Sequence, residues 1–404
     1  MKQILTLIFV VFVFLGCTQK QVVELKLPNK NKIEKKAPEK KVEDDGVTVI
    51  QEFAPIEIKE DNIKEQTIPN GSMNNSVEDN STESVSENVN FQNIDIQIDG
   101  TKANMQLAFI YPSSVSKYAR SSLNTISGYL SYQKADYNLV VIECENESYE
   151  KIVSAFNRVK QEGITNVIAL FTPNSVTTLN KVVSSDLKVY LPLIEKKDSL
   201  ENNDSLIFGS ISYDEQLKKL SYYSNGNNAM FYQDSYLGSK LKRSYDSIVG
   251  SSIISKEINK TDTNFKNIVN DYRLRNSSLF LNTDIVKTSL ILSQLRAYDI
   301  YPNMIFSTQL NYDPMLMVLT QEKDREKFVI ANSIDSVDSK LKDEVLTFGG
   351  NINFEWVDYS TLVGVNYLFH GGNSSLIPTK ISNNEAIYTP KLFKSTEIGF
   401  LEIK

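Results

Sequence analysis

The sequence predicts an α/β protein of two lobes, each a mainly parallel sheet flanked by helices, behind a leader with no fold of its own. Three observations predict it. Beyond residue 104, short apolar runs alternate with stretches of helical periodicity. Those runs are continuously apolar rather than alternating, which implies strands buried on both faces and so a parallel sheet covered by helices. Third, the strand and helix rhythm stops at a polar loop, residues 196–205, and then restarts, so two sheets of similar size are expected.

The first element is a leader. Lys2 gives a positive start, residues 4–15 are apolar apart from Thr6, and Gly16 precedes Cys17, the layout of a secretory signal peptide over residues 1–16. The run is shorter than the roughly 20 residues that a membrane span needs. The stretch Phe14-Leu15-Gly16-Cys17 resembles the bacterial lipobox, with Phe14 in place of the usual leucine. That resemblance implies that Cys17 is lipidated and becomes the mature N-terminus. Thr18-Gln19 follow rather than an aspartate, which in such lipoproteins implies the outer membrane. The expected location is therefore the periplasmic face of the outer membrane, with the membrane as a partner through Cys17. Two or more acyl chains anchor a protein stably, because each buried methylene contributes about 0.8 kcal/mol.

Residues 17–100 then read KNKIEKKAPEKKVEDD and PNGSMNNSVEDNSTESVSENV, too poor in apolar surface to offset the entropy of ordering. This is a tether that would reach roughly 250 Å stretched and average about 50 Å as a coil. Such length suits a partner at a distance. One stretch within it, VTVIQEFAPIEI, is apolar enough either to dock or to remain an extended sticky patch. Asn80, in Glu-Asp-Asn-Ser-Thr, fits an acidic Asn-glycosylation sequon, as does Asn203 in Glu-Asn-Asn-Asp-Ser; chance matches are also expected in so Asn-rich a chain.

The folded part, residues 101–404, opens with the strand QLAFIYP and a helix marked by Val115, Tyr118, Leu123, Ile126 and Leu130. Strand YNLVVIEC follows, then a helix through Tyr149, Ile152, Phe156 and Val159 that Gly163 ends, strand NVIALFT, a helix from Pro173, and strand KVYLPL. LIFGSIS adds a short strand before the restart. The second series is strand NAMFYQD, helix SYLGSKLKRSYDSIV, strand SIISKEI, helix TNFKNIVNDYRLRN, strand SSLFLNT, helix DIVKTSLILSQLRAYDI, and strands MIFST and KFVIANSI. A helix from Trp356 to Leu368 returns to the first lobe, and EAIYTPKLF with EIGFLEIK reads as a terminal hairpin. The expected lobes are about 101–225 with 340–372, and about 226–339 with 373–404.

This order resembles the type I periplasmic binding protein fold of leucine and branched-chain amino-acid receptors, over nearly the whole of residues 105–404. The local matches are NAMFYQDSYLGSKLKRSYDSI, DYSTLVGVNYLF and the turn Thr389-Pro390-Lys391-Leu392-Phe393. ISYDEQLKKLSYYSNGNNAMFYQDSYLGSKL and SLFLNTDIVKTSLILSQLRAYDIYPNMIFSTQL also resemble a divergent branch, the outer-membrane lipoprotein activators of bifunctional penicillin-binding proteins. The helical-repeat domain that such activators can carry is replaced here by the tether.

In open α/β sheets, ligands lie beyond the carboxyl ends of strands, near helix N-termini. Those positions hold Ser113, Ser114, Asn174, Ser175, Ser212 and Tyr213, with Asp234, Asn282 and Asp284 in the second lobe. The receptor resemblance implies that Ser114 and Ser175 would hold a ligand carboxylate, and Asp234 or Asp284 its ammonium. Helix capping accounts for the same residue types without any ligand.

Composition excludes several classes. With 43 basic and 50 acidic residues the net charge is −7, without the basic footprint that nucleic acid requires. Of the 2 cysteines, lipidation would take Cys17 and leave Cys144 alone, a buried hydrophobe at the end of a strand with no disulfide partner. The single histidine, His370, sits before Gly371-Gly372 at a helix end, and metal ligands at short spacing, a phosphate loop and a nucleophile elbow are missing from the pattern. No enzyme, cofactor or metal is expected. Two functions remain: a regulator of peptidoglycan synthesis that contacts a cell-wall synthase or other periplasmic protein, and a solute receptor for an amino acid or similar small ligand.

Overall fold

The computed structural model describes residues 105–403 together with the backbone of one strand, Asp95–Gln97. The expectations for the signal peptide, Cys17, Asn80 and the VTVIQEFAPIEI stretch lie outside the described residues.

In chain order the first lobe is built from β1 (Asp95–Gln97), β2 (Met105–Pro112), α1 (Ser116–Tyr132), β3 (Tyr137–Cys144), α2 (Tyr149–Gln161), β4 (Asn166–Ala169), α3 (Val176–Val182), β5 (Lys188–Leu191) and β6 (Leu206–Phe208). The second follows with α4 (Tyr213–Ser221), β7 (Asn228–Gln233), α5 (Tyr236–Ile248), β8 (Ile254–Ile258), α6 (Lys266–Val269), β9 (Ser278–Asn282), α7 (Ile285–Ala297), β10 (Met304–Ser307), α8 (Met315–Leu319) and β11 (Phe328–Asn332). Then come α9 (Ser339–Thr347), α10 (Trp356–His370), β12 (Lys380–Ser382), β13 (Glu385–Ile387), β14 (Lys391–Ser395) and β15 (Phe400–Ile403).

Two mixed, mostly parallel sheets result. One has the order β1-β3-β2-β4-β5-β6-β13-β12, the other β15-β14-β11-β10-β9-β7-β8. Their continuous apolar runs are explained by burial on both faces. In β2, Leu107, Phe109 and Tyr111 enter one core cluster while Ala108 and Ile110 enter the cluster on the opposite face. Strand β9 divides in the same way, Leu279 and Leu281 to one side and Phe280 to the other.

Helix α10 is buried on almost every side, which its sequence WVDYSTLVGVNYLFH allows. Gly364 lets it lie against the ring of fully buried Tyr190, where a Cβ would stand 2.2 Å from the ring; Gly209 meets the same ring, at 2.4 Å. The helix ends as expected at His370, with Gly371 in the left-handed conformation at φ 66.

The structure corrects five expectations. Asp95–Gln97, expected within the 17–100 tether, form β1, which pairs antiparallel with the edge of β3 and closes that side of the first sheet. Residues 263–276 form only the single turn α6 and a 3-10 turn at Tyr272–Leu274, because Asp271 caps that second turn and breaks the run. EAIYTPKLF is two strands in different sheets, since Pro390 has no N–H to continue a ladder. Residues 380–387 therefore belong to the first sheet, where β13 pairs with β6, and not to the second lobe. Helix α4, placed by its sequence in the first lobe, packs Tyr213, Leu217 and Leu220 into the core of the second. The chain thus crosses between the lobes three times, near residues 209–212, 333–338 and 388–390.

Candidate functional site

The carboxyl ends of β4, β5 and β7 and the start of α10 converge on a cleft between the lobes. It is lined by Tyr118, Thr172, Leu193 and Glu195 from the first lobe and by Tyr236, Leu237 and Lys240 from the second, with Ile211 and Tyr213 at the crossing and Trp356 over them. The cavity left among them is about 50 Å³, against the roughly 300–1,000 Å³ of ordinary small-molecule sites. Trp356, the chain's one tryptophan, packs against the cores of both lobes, and so does Tyr388, whose hydroxyl donates to the Gly209 carbonyl at 2.6 Å.

Charge clasps the same seam. Glu195 is buried and receives Lys240 Nζ across the cleft at 3.4 Å and Lys197 Nζ at 3.0 Å, and Lys197 reaches Asp214 on α4 at 2.6 Å. Burial pulls the Lys197 ammonium down, but its bonds to Asp214 and Glu195 outweigh that and hold it above its ordinary range. Burial, then the charges of Tyr118, Glu195 and Glu355, push the Tyr213 phenol well up, so it stays neutral.

The donors at the end of β4 are already engaged. The Thr172 N–H and hydroxyl both donate to the Glu147 carboxylate, each at 2.6 Å. Burial raises the Glu147 carboxyl above its usual range against the pull of those two bonds. A carboxylate of the protein thus takes the pair of donors that an anionic ligand would use.

The nine candidate residues do not meet in one place. Only Tyr213 lines the cleft. Ser113 donates to Glu143 at 2.9 Å and faces a separate, open hollow of about 530 Å³ beyond β3, bordered by Lys151 and Arg158. Ser114 and Asn174 are exposed, and Ser175 spends its hydroxyl on the Thr172 carbonyl at 2.8 Å. Ser212 caps α4, and Asp234 is exposed beyond β7. Asn282 accepts the N–H and hydroxyl of Thr308, both at 3.1 Å, and Asp284 caps α7 through Val286 and Lys287 N–H. Glu195, Lys240, Glu147 and Trp356 were not singled out by sequence. The one signal was the lone tryptophan at the start of a helix.

Cys144 is buried, and burial followed by Glu147 and Glu143 pushes its thiol up to about 12, so it is inert at neutral pH. Asn203 spends its side-chain N–H groups on the carbonyls of Asn180 and Val183, so the nitrogen that the sequon would modify is engaged in the fold. Among the described residues no group of three or more His, Cys, Asp or Glu could hold a metal, and no helix is long and apolar enough to cross a membrane.

No family model matches the chain. A curated relative, "Transcriptional regulator of yeast form adherence 5" of Candida albicans, is 28% identical over 222 residues, 49% of this chain. The chain spans about a fifth (21%) of that protein, too little to show a family. Solved structures are far more alike in shape. A branched-chain amino-acid ABC transporter protein of Thermus thermophilus with bound valine matches with TM-score 0.54 and 11% identity, over 74% of this chain and 95% of that one. The substrate-binding protein LivJ of Streptococcus pneumoniae, in complex with isoleucine, gives 0.53 and 12% over 74% and 99%. LpoA of Haemophilus influenzae gives 0.54 and 10% over 78% of this chain and 60% of its own. With two sheets, three crossings and these neighbours, the described chain has the type I periplasmic-binding-protein fold that such amino-acid receptors share with LpoA.

Proposed function

We propose that this chain is a periplasmic lipoprotein, anchored in the outer membrane through Cys17, whose domain regulates or activates peptidoglycan synthesis by protein contact and carries out no catalysis. The observation that carries this reading is the filled cleft. A receptor needs a chamber for its ligand, whereas here Trp356 and three tyrosines leave about 50 Å³, and Glu147 occupies the Thr172 donors. The likeness to LpoA supports the same direction, since activators of penicillin-binding proteins are the branch that the sequence resembles. A long leader would raise the local concentration of a distant partner, so a weak domain contact can suffice.

The test is to add the purified full-length protein to each bifunctional penicillin-binding protein of the source cell and to follow glycan polymerisation and cross-linking. Faster synthesis by at least one supports the reading; unchanged rates with every one overturn it. One observation favours the receptor alternative: Glu195 and Lys240 place opposite charges across the cleft, as the ammonium and carboxylate of an amino acid would require. A ligand at 100 times its Kd adds about 2.7 kcal/mol of stability. A melting shift with any member of an amino-acid panel would therefore favour the receptor.

A further inference from the structure

The end of the second lobe farthest from the cleft carries a concentration of exposed tyrosine. Strands β7, β8, β9 and β10 are parallel, so their first residues and the loops before them gather at one end. On those loops Tyr222 is 72% exposed, Tyr223 52%, Tyr272 78%, Tyr301 44% and Ile253 39%.

The loops are pinned to one another. Asn225 Nδ2 donates to the Asn276 carbonyl at 2.7 Å, Asn276 N–H to the Tyr301 carbonyl at 3.2 Å, Ile253 N–H to the Asn228 carbonyl at 2.8 Å, and Arg273 Nη1 to the Ile253 carbonyl at 3.4 Å. Tyrosines held on a fixed backbone lose little entropy when they are covered, and Tyr with Arg is the composition of interface hot spots. The charge on these loops leans basic. Residues 218–227, 250–253, 270–277 and 296–303 hold the basic residues Lys218, Lys219, Arg273, Arg275 and Arg296 against Asp271 and Asp299; Lys218 is paired with Glu215 and Arg273 with Asp271, which leaves Lys219, Arg275 and Arg296 against Asp299.

We infer that this end is the face through which the domain holds its protein partner, and that the partner presents an acidic surface to it. The inference rests on the regulatory reading above and adds the contact face and the partner's charge. Tyrosines would fill the centre of the interface while the basic rim steers and orients the acidic partner.

The experiment places the photo-crosslinker benzoylphenylalanine at position 222 or 272 of the full-length protein in cells, with position 149 on the first lobe, also an exposed tyrosine, as the control. The expected result is a protein adduct from 222 and 272 but not from 149, lost on Arg275→Glu. Once purified, that partner should bind the Tyr222→Ala/Tyr272→Ala variant at least tenfold more weakly at unchanged melting temperature. Adducts equally strong at 149, adducts insensitive to Arg275→Glu, adducts to glycan alone, or no adduct at all would overturn the proposal. A captured acidic partner that is no cell-wall synthase keeps this face and removes the regulatory reading. Stimulation of a synthase that both variants leave intact keeps that reading and removes this face.

Discussion

Asp358 on α10 shows how one buried side chain couples the fold to pH. It is 1% exposed and accepts a hydrogen bond from Ser121 and another from the Asn351 N–H at 2.7 Å. Burial nonetheless dominates those two bonds and pushes the carboxyl up to about 6 from an ordinary 3.8. Because the folded state holds the proton more tightly than the unfolded chain, this group's contribution is fully present below about pH 4 and is lost as pH rises through about 6. Two units correspond to about 3 kcal/mol. Urea unfolding of Asp358→Asn is therefore expected to lose the fall in stability that the parent shows between pH 4 and 7; parallel pH profiles would refute this. Glu147 is a different lesson at the same scale. Its carboxylate reaches Thr172 from 25 residues away in sequence, and no local pattern announces such a pairing.

At the scale of elements, the β12 and β13 hairpin turns on Asn383 and Asn384, whose φ values of 49 and 60 are the left-handed pair that a tight hairpin requires. Asn384→Val should cost about 1–2 kcal/mol in melting experiments, whereas Asn384→Gly should be neutral or slightly stabilising. Equal effects of the two would refute that account.

The sequence made the central parallel strands legible because burial on both faces leaves an uninterrupted apolar signature, as in residues 105–112 and 278–282. It hid this hairpin because strands of three residues are too short to show any period, although the Asn-Asn pair was a readable turn signal. Helix α9 escaped as well: only Leu341 and Val345 are buried on it, too few to stand out. Of the candidate site, the loops at the strand ends were legible, since topology dictates them. Which of their side chains face the cleft was not, because Ser, Asn and Asp at helix starts serve as caps whatever else they do.

For the whole molecule, the clasp is the feature that decides between open and shut. Glu195→Gln weakens its bonds to Lys197, which keeps Asp214, and to Lys240, and because both ammonium groups are partly exposed this should cost about 1–2 kcal/mol. Trp356→Ala removes a side chain that, like Tyr388, packs against both cores. Both variants should enlarge the radius of gyration in small-angle scattering. For Glu195→Gln, the emission of Trp356, unique in the chain, should shift to the red as water enters. Unchanged scattering and emission would mean that the lobes are held by other contacts.

The triple crossing has a consequence for biogenesis. The strands that finish the first sheet, β13 and β12, lie within the last 25 residues of the chain, after the second lobe's central strands have been made. A prematurely terminated chain would therefore present β6 as an uncovered edge, the kind of surface on which other chains add as further strands. Proteolytic quality control should fall most heavily on C-terminal truncations, even those that remove no residue of the cleft.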